Sequence, residues 1–123
     1  MAALTEARHA GEFIISEGNG NISRDTITIV SGAGVVKAGT VIAKITASGK
    51  YKPSTATGSD GGQTAVAVLF DTVDASSADA VGVAISRNAE VNGNILSYDS
   101  TVDDGTKKAA KSVQLAAVGI IVR

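Results

Sequence analysis

The sequence predicts a mainly β (α+β) fold with one short C-terminal helix and an extended N-terminal arm. Three observations lead to this prediction. Several short segments are rich in β-branched residues or alternate apolar with polar ones, turns rich in Gly, Asn and Ser separate them, and helical spacing occurs near the end. The chain has 123 residues, of which 44% are apolar. That amount supports one modest core, so we expect a single folded domain.

The first eleven residues differ from the rest of the chain, because they are small, charged or polar and have little periodicity. We therefore expect an arm over residues 1–11 and a domain over residues 12–123. Met1–Arg8 lacks the apolar region of a signal peptide, and no apolar run approaches the roughly 20 residues that span a bilayer. We expect a protein that is soluble where it is made and has no membrane partner.

The strands are predicted from local patterns. Phe13–Ile15 begins a first strand that stops at the Gly18–Asn21 turn, and Thr26–Ile29 alternates with a period of two. Thr64–Phe70 is almost continuously apolar, which predicts a central strand covered on both faces. The other predicted strands are Thr40–Thr46, with Val41, Ala43 and Ile45 on one face, Ala80–Ser86, Ala89–Leu96 and Ile120–Val122. Residues 53–62, rich in Ser, Thr, Gly and Asp, predict a surface loop.

The helix is predicted to begin at Thr106, directly after an acidic pair, Asp103 and Asp104, which suits the N-terminal end of the helix dipole. Gly119 is placed to end it. The spacing predicts a core-facing side and a solvent-facing side. The core-facing residues would be Ala109, Val113, Ala116 and Ala117, and the solvent-facing residues would be Lys107, Lys108 and Lys111.

Charge and residue usage exclude several kinds of function. The formal net charge is −1 and the charges are scattered, so no basic face for nucleic acid is predicted. Cysteine is absent, which excludes disulfides, thiol catalysis and cysteine-ligated metal and fits a reducing compartment.

Few residues could support catalysis or metal binding. His9 is the single histidine and lies in the arm, so a Ser-His-Asp triad would have to recruit it from there. Two aspartate clusters could suggest a cation site, but neither has the ligand spacing of an EF-hand. They are Asp71, Asp74 and Asp79, interpreted as a solvated loop, and Asp99, Asp103 and Asp104, interpreted as helix capping. Ser31–Gly34 lacks the Lys and the spacing of a phosphate-binding loop and is interpreted as a turn. We expect no enzyme, no metal and no cofactor.

Six segments resemble, in order, the head decoration proteins of tailed bacteriophages of the lambda D type. They are Gly11–Glu17, Ser23–Ile29, Lys37–Thr46, Thr64–Asp74, Ala89–Gly93 and Val118–Arg123. The end of the chain is also similar, since an acidic pair precedes Thr106, Lys107 and Lys108, and an apolar terminus follows. The N-terminal half departs from the lambda type, because it is proline-poor and carries the Glu12–Ser16 strand of the longer branch of the family.

The resemblance implies a small β-barrel or β-tulip-like domain that forms a homotrimer. Such trimers bind the major capsid protein outside the expanded head, at its local threefold positions, and act as cement against packaged DNA. The resemblance places the protein on the outer surface of the virion, after synthesis in the host bacterial cytoplasm.

The capsid contact is expected at the start of the chain, where an extended segment could add a strand to a capsid-protein sheet. The expected capsid-binding residues are Thr5, Glu6, Arg8, His9, Gly11, Glu12, Phe13, Ile14 and Ile15. In that model Phe13 and Ile15 share one face of the added strand, Ile14 lies on the other, and Arg8, His9 and Glu12 set the register.

Two other classes of function remain open at this stage. One is a bacterial ligand- or carbohydrate-binding β module, although such sites usually present aromatic platforms and this chain has four aromatic residues. The other is a small hydrolase, which His9 alone supports.

Overall fold

A computed structural model of the protein describes residues 6–123. In this range the chain forms ten strands, a 3-10 helix at Gly93–Ile95 and one α-helix, α1, at Gly105–Ala117. The strands are β1 (Ile14–Glu17), β2 (Arg24–Ile29), β3 (Gly34–Val36), β4 (Val41–Lys44), β5 (Tyr51–Pro53), β6 (Ala65–Leu69), β7 (Val73–Ala75), β8 (Ala80–Ile85), β9 (Ala89–Val91) and β10 (Ile120–Val122). Neither described helix is long and apolar enough to cross a membrane. The mainly β fold with one C-terminal helix is therefore confirmed.

Five strands close into a barrel, in the order β2-β5-β4-β6-β8. The neighbours pair antiparallel except β2 and β5, which are parallel. Outside the barrel, β1, β9 and β10 form a three-stranded sheet in which β9 is central, and β3 pairs with β7 in a two-stranded ribbon. The small β-barrel that the resemblance implies is thus present.

Two hydrophobic cores lie on opposite sides of the barrel wall. Inside the barrel, residues such as Ile29, Ile42 and Leu69 pack together. Outside it, Val68 and Ile85 pack against the three-stranded sheet and α1. Successive side chains of a strand point to opposite faces, so a strand in this wall supplies both cores. This arrangement confirms the prediction that Thr64–Phe70 contains a strand covered on both faces.

Burial on both faces of the barrel wall also explains why β4 differs from its prediction. The sequence predicts Val41 and Ala43 on a buried face, but Ile42 is buried as completely as they are. Val41 belongs to the outer core and Ile42 to the barrel interior. Alternation of apolar and polar residues indicates a strand with one solvent-exposed face, whereas Val41, Ile42 and Ala43 of β4 are all buried.

Three short strands, β3, β5 and β7, were not predicted from the sequence, and the first residue of the predicted 53–62 loop, Pro53, belongs to β5. Each of these strands has three residues, which is too short for a period of two to show. The strand predicted at Ala89–Leu96 is also shorter than expected. It ends at Val91, because the side chain of Asn92 accepts a hydrogen bond from the Asn94 backbone nitrogen, at 3.0 Å, and starts the 3-10 helix.

The helix begins where the acidic pair predicts. Asp104 is the N-cap, and its Oδ1 accepts a hydrogen bond from the Lys107 backbone nitrogen at 2.8 Å. Gly119 follows the helix with φ +85°, a conformation that glycine adopts without strain. Ile120 then enters the outer core.

The face that α1 turns inward is not the predicted one. The four residues expected in the core, Ala109, Val113, Ala116 and Ala117, are exposed. Leu115 and Lys111 are buried instead. The Lys111 ammonium donates hydrogen bonds to the backbone oxygens of Thr55 and Gln63, at 2.6 and 2.7 Å. The helix packs over the loop between β5 and β6, whose carbonyl groups need donors, so polar satisfaction overrides the apolar spacing.

We expect Lys111→Met to lower the free energy of unfolding by about 2–4 kcal/mol, because two carbonyl oxygens lose a charged donor. Urea unfolding followed by circular dichroism measures the change. Lys108→Met is the matched control on the same helix. Lys108 is exposed and its Nζ lies 5.5 Å from the centre of the Tyr98 ring, so its loss should cost at most about 1 kcal/mol. Equal losses in the two variants would contradict this role of Lys111.

Candidate functional site

The candidate site is the region where the N-terminal segment joins the folded body. Of the nine predicted contact residues, Thr5 lies outside the described residues. The structure brings the other eight together along one continuous stretch that ends in β1. Five of them form an exposed group, a pair that fixes the segment to the body, and a buried anchor, and Glu12, Ile14 and Ile15 complete the stretch.

Glu6 and His9 form the exposed group. Their side chains are 87% and 63% exposed, and the His9 Nε2 atom lies 3.5 Å from Glu6 Oε2. Neither side chain is enclosed by the body. They are therefore free to meet a partner.

Arg8 fixes the segment to the body. Its Nη1 atom donates a hydrogen bond to the Ile95 backbone oxygen at 2.5 Å and lies 3.6 Å from Glu12 Oε1. Ile95 ends the 3-10 helix after β9. One arginine side chain thus joins the N-terminal segment to the element that follows the central strand of the small sheet.

Gly11 is the second fixed point. Its backbone nitrogen donates to the Phe70 oxygen at 2.9 Å, and its φ of +68° reverses the chain before β1. A Cβ atom here would lie 2.8 Å from Cε1 of Phe70. Both the backbone conformation and the close approach therefore require glycine.

Phe13 is the buried anchor, because its side chain is fully enclosed in the outer core. Its backbone oxygen accepts a hydrogen bond from the Asn92 nitrogen at 2.8 Å. A side chain in this position cannot reach a partner without leaving the core. Ile14, which is half-buried, pairs with Val91 on β9 and packs against the same core.

Ile15 is 53% exposed, whereas Phe13 is not exposed at all. The sequence predicts these two residues on one face. The structure differs because the register of β1 against β9 shifts between Ile14 and Ser16, which is an irregularity of the β-bulge type. A bulge changes which way the following side chains point. Ile15 is therefore the apolar residue of β1 that remains open to contact.

Arg24 and Phe70 support this region, and the sequence analysis did not identify them. The Arg24 guanidinium lies 4.2 Å from the centre of the Phe70 ring and donates two hydrogen bonds to Glu17, at 2.7 and 3.1 Å. These bonds raise the pKa of Arg24 above its ordinary value. Glu17 and Arg24 flank the turn between β1 and β2, and this opposite-charge spacing was the one available sequence signal.

Glu90 joins the three strands of the small sheet. It accepts a hydrogen bond from Ser16 on β1, at 2.9 Å, and from Arg123 after β10, at 2.6 Å. Donation by Arg123 and by Ser16 lowers the pKa of Glu90. The carboxylate is therefore charged near neutral pH, so a cross-strand network ties β1 to the rest of the sheet.

A groove of about 660 Å³ lies beside the N-terminal segment. Its lining residues are Glu6, Ala7, Arg8, His9, Glu12, Val35, Lys37 and Thr72. The lining contains both acids and bases and no Phe, Tyr or Trp side chain. Among the described residues, no three His, Cys, Asp or Glu side chains are grouped so as to hold a metal ion.

A family model for the bacteriophage lambda head decoration protein D matches residues 3–120 of this chain. The match covers almost the whole sequence, including the N-terminal segment and the helix. No curated protein matches the chain.

We expect Gly11→Ala to lower the free energy of unfolding by about 1–3 kcal/mol, through the positive φ and the contact with Phe70. The Phe70 ring has little room to move, because Arg24 covers it. Gly20→Ala is the matched control. Gly20 has a similar φ of +63° but open space around its Cβ position, so only the backbone cost of about 1 kcal/mol applies. A larger effect of Gly20→Ala in urea unfolding would contradict the proposed crowding at Gly11.

Proposed function

The chain belongs to the bacteriophage lambda head decoration protein D family, and from this we propose that it is a structural cement protein without catalytic activity. It binds the major capsid protein on the outer surface of the expanded head as a homotrimer and stabilises the shell against packaged DNA. It is made in the host cytoplasm and has no membrane partner, no cofactor and no direct contact with nucleic acid.

One observation carries the proposed mode of binding. The N-terminal segment is fixed to the body at Arg8 and Gly11 and continues into β1, which is an edge strand of the small sheet. In the described part of the chain, β1 pairs only with β9, so its other edge is open. Open strand edges accept further strands through main-chain hydrogen bonds. The segment therefore leaves the body in a fixed direction, beside a surface suited to a capsid strand.

The nine residues have different roles in this proposal. Thr5, Glu6 and His9 contact the capsid protein, and Glu12 and Ile15 extend that contact onto the body. Arg8 and Gly11 set the direction in which the segment leaves. Phe13 and Ile14 hold the base of the segment in the outer core, so a pull on the arm is transmitted to the whole domain.

Trimerisation multiplies the effect of one arm. When the first arm of a trimer is bound, the second and third contacts become intramolecular. Avidity of this kind raises the overall affinity by about 10²–10⁴ without any new contact. Weak single contacts can therefore add up to durable decoration of the shell.

Exposed apolar side chains on the body support the proposed self-association. Val113 on α1 is 72% exposed and Val81 on the barrel is 70% exposed. The face of α1 that carries Val113 has the spacing of a buried surface, yet the domain leaves it open.

Deleting residues 2–10 should weaken binding to expanded capsids by at least about a hundredfold, because three arms and their avidity are lost together. The deletion keeps Gly11 and the buried Phe13, so the domain should still fold. Co-sedimentation with capsids that lack this protein, over a concentration series, measures the affinity. Circular dichroism and light scattering confirm that the truncated protein keeps its fold and its oligomeric state.

Ser77→Ala is the control for the deletion, since it changes one exposed side chain between β7 and β8 that belongs neither to the N-terminal segment nor to the exposed apolar side chains. It should bind capsids as the unmodified protein does. If the truncated protein sedimented as tightly as the full chain, the arm would not be the capsid contact.

The purified full-length protein should have the mass of a trimer in multi-angle light scattering at micromolar concentration. Burying the exposed apolar side chains between copies is the expected driving force. A monomer mass over the whole range would contradict trimerisation in solution.

A further inference from the structure

The chain contains two Asn-Gly pairs, Asn19-Gly20 and Asn92-Gly93. An asparagine followed by glycine is open to a well-defined reaction, because no side chain shields the next backbone nitrogen. That nitrogen can attack the side-chain amide carbon if it is free of hydrogen bonds and the amide can rotate towards it. The two pairs are chemically equivalent in an unfolded chain. The fold places them in different environments.

The first pair lies in the exposed turn between β1 and β2. Both residues are exposed, and apart from its chain neighbours no atom lies within 4 Å of the position that a Cβ of Gly20 would occupy. Within residues 6–123, neither the Gly20 backbone nitrogen nor the Asn19 side chain makes a hydrogen bond. The turn is fixed instead through its neighbours, since the Gly18 nitrogen donates to the Asn88 oxygen and to Ser23 Oγ.

In the second pair, hydrogen bonds hold both the backbone nitrogen of Gly93 and the side-chain amide of Asn92. The Gly93 nitrogen donates to the Arg123 backbone oxygen at 3.0 Å. The Asn92 side chain accepts a hydrogen bond from the Asn94 nitrogen, which fixes its rotamer. A Cβ atom at Gly93 would lie 2.8 Å from Val122, so β10 covers this position closely. The nitrogen and the amide carbon therefore cannot approach each other without local opening.

We propose that Asn19 is a site of spontaneous deamidation in the folded protein and that the fold protects Asn92. The Gly20 nitrogen loses its proton and bonds to Cγ of Asn19, and the side-chain nitrogen leaves as ammonia with that proton. The product is a succinimide ring. Water then opens the ring at either carbonyl, which gives aspartate or isoaspartate and adds one negative charge.

The place of the modification gives it a structural consequence. The Asn19 turn links β1, which follows the N-terminal segment, to β2 of the barrel. Isoaspartate lengthens the backbone by one carbon, so the turn must adjust. The Glu17–Arg24 ion pair spans this turn and the Arg87 guanidinium donates to the Ile22 oxygen within it. A new carboxylate at residue 19 thus arises next to an existing charge network.

The experiment incubates the full-length folded protein at pH 8 and 37 °C and follows both Asn-Gly peptides by mass spectrometry after digestion. Conversion at Asn19 should be at least about tenfold faster than at Asn92, since Asn92 must first break two hydrogen bonds. Isoaspartate is distinguished from aspartate by its chromatographic retention. A parallel sample in concentrated urea provides the internal control, and there both sites should convert at similar rates.

Asn19→Gln keeps the amide but moves it one carbon away from the nitrogen, so modification at this position should disappear while the fold is unchanged. Equal conversion of Asn19 and Asn92 in the folded protein would overturn the proposal. So would an unmodified Asn19 in the folded sample when both sites convert in urea.

Discussion

The structure depends on a barrel wall that is buried on both sides. Strands β4, β6 and β8 send alternate side chains into the barrel and into a second core outside it. The chain is poor in aromatic residues, with two Phe, two Tyr and no Trp, and Phe13 is the one aromatic side chain that is fully buried. Small residues that serve two cores compensate, because β4 and β6 then bury nearly all their apolar surface. The small sheet and α1 complete the outer core.

This constraint connects the fold to the proposed function. The outer core exists because the small sheet and α1 cover the barrel wall, and that sheet carries β1 at its edge. Phe13 therefore contributes twice, since it fills the outer core and anchors the segment that precedes it. Burial of a Phe side chain is worth about 3–5 kcal/mol relative to Ala. Any force on the N-terminal segment is opposed by this packing before it reaches the barrel.

Because the wall is covered on both sides, polar groups buried beside it need hydrogen-bond partners within the protein. Among the described residues, no buried side-chain nitrogen or oxygen lacks a hydrogen-bond partner. Ser54, which is buried, donates to the Gly62 oxygen at 2.9 Å, and Lys111 binds the same loop from the helix. The loop of eleven residues between β5 and β6 thus packs under α1 with the carbonyl groups of Thr55, Gly62 and Gln63 paired. As a result, the apolar residues of α1 predicted to face the core, among them Val113, remain exposed.

The sequence alone determined the order of most elements, because their signals are local. Alternation at Thr26–Ile29, the continuous apolar run at Thr64–Phe70, Asp104 before the helix and Gly119 after it each act within a few residues. The family also followed from sequence, since its segments keep their order along the chain. Tertiary structure decided what depends on distant partners. Lys111 turns inward because of carbonyl groups 48 and 56 residues away, and Phe13 is buried because β9 and the barrel wall meet over it. Likewise, Arg123 and Val122, which are distant in sequence, cover one of two identical Asn-Gly pairs and leave the other open. No local pattern contains these contacts, so only the folded chain reveals them.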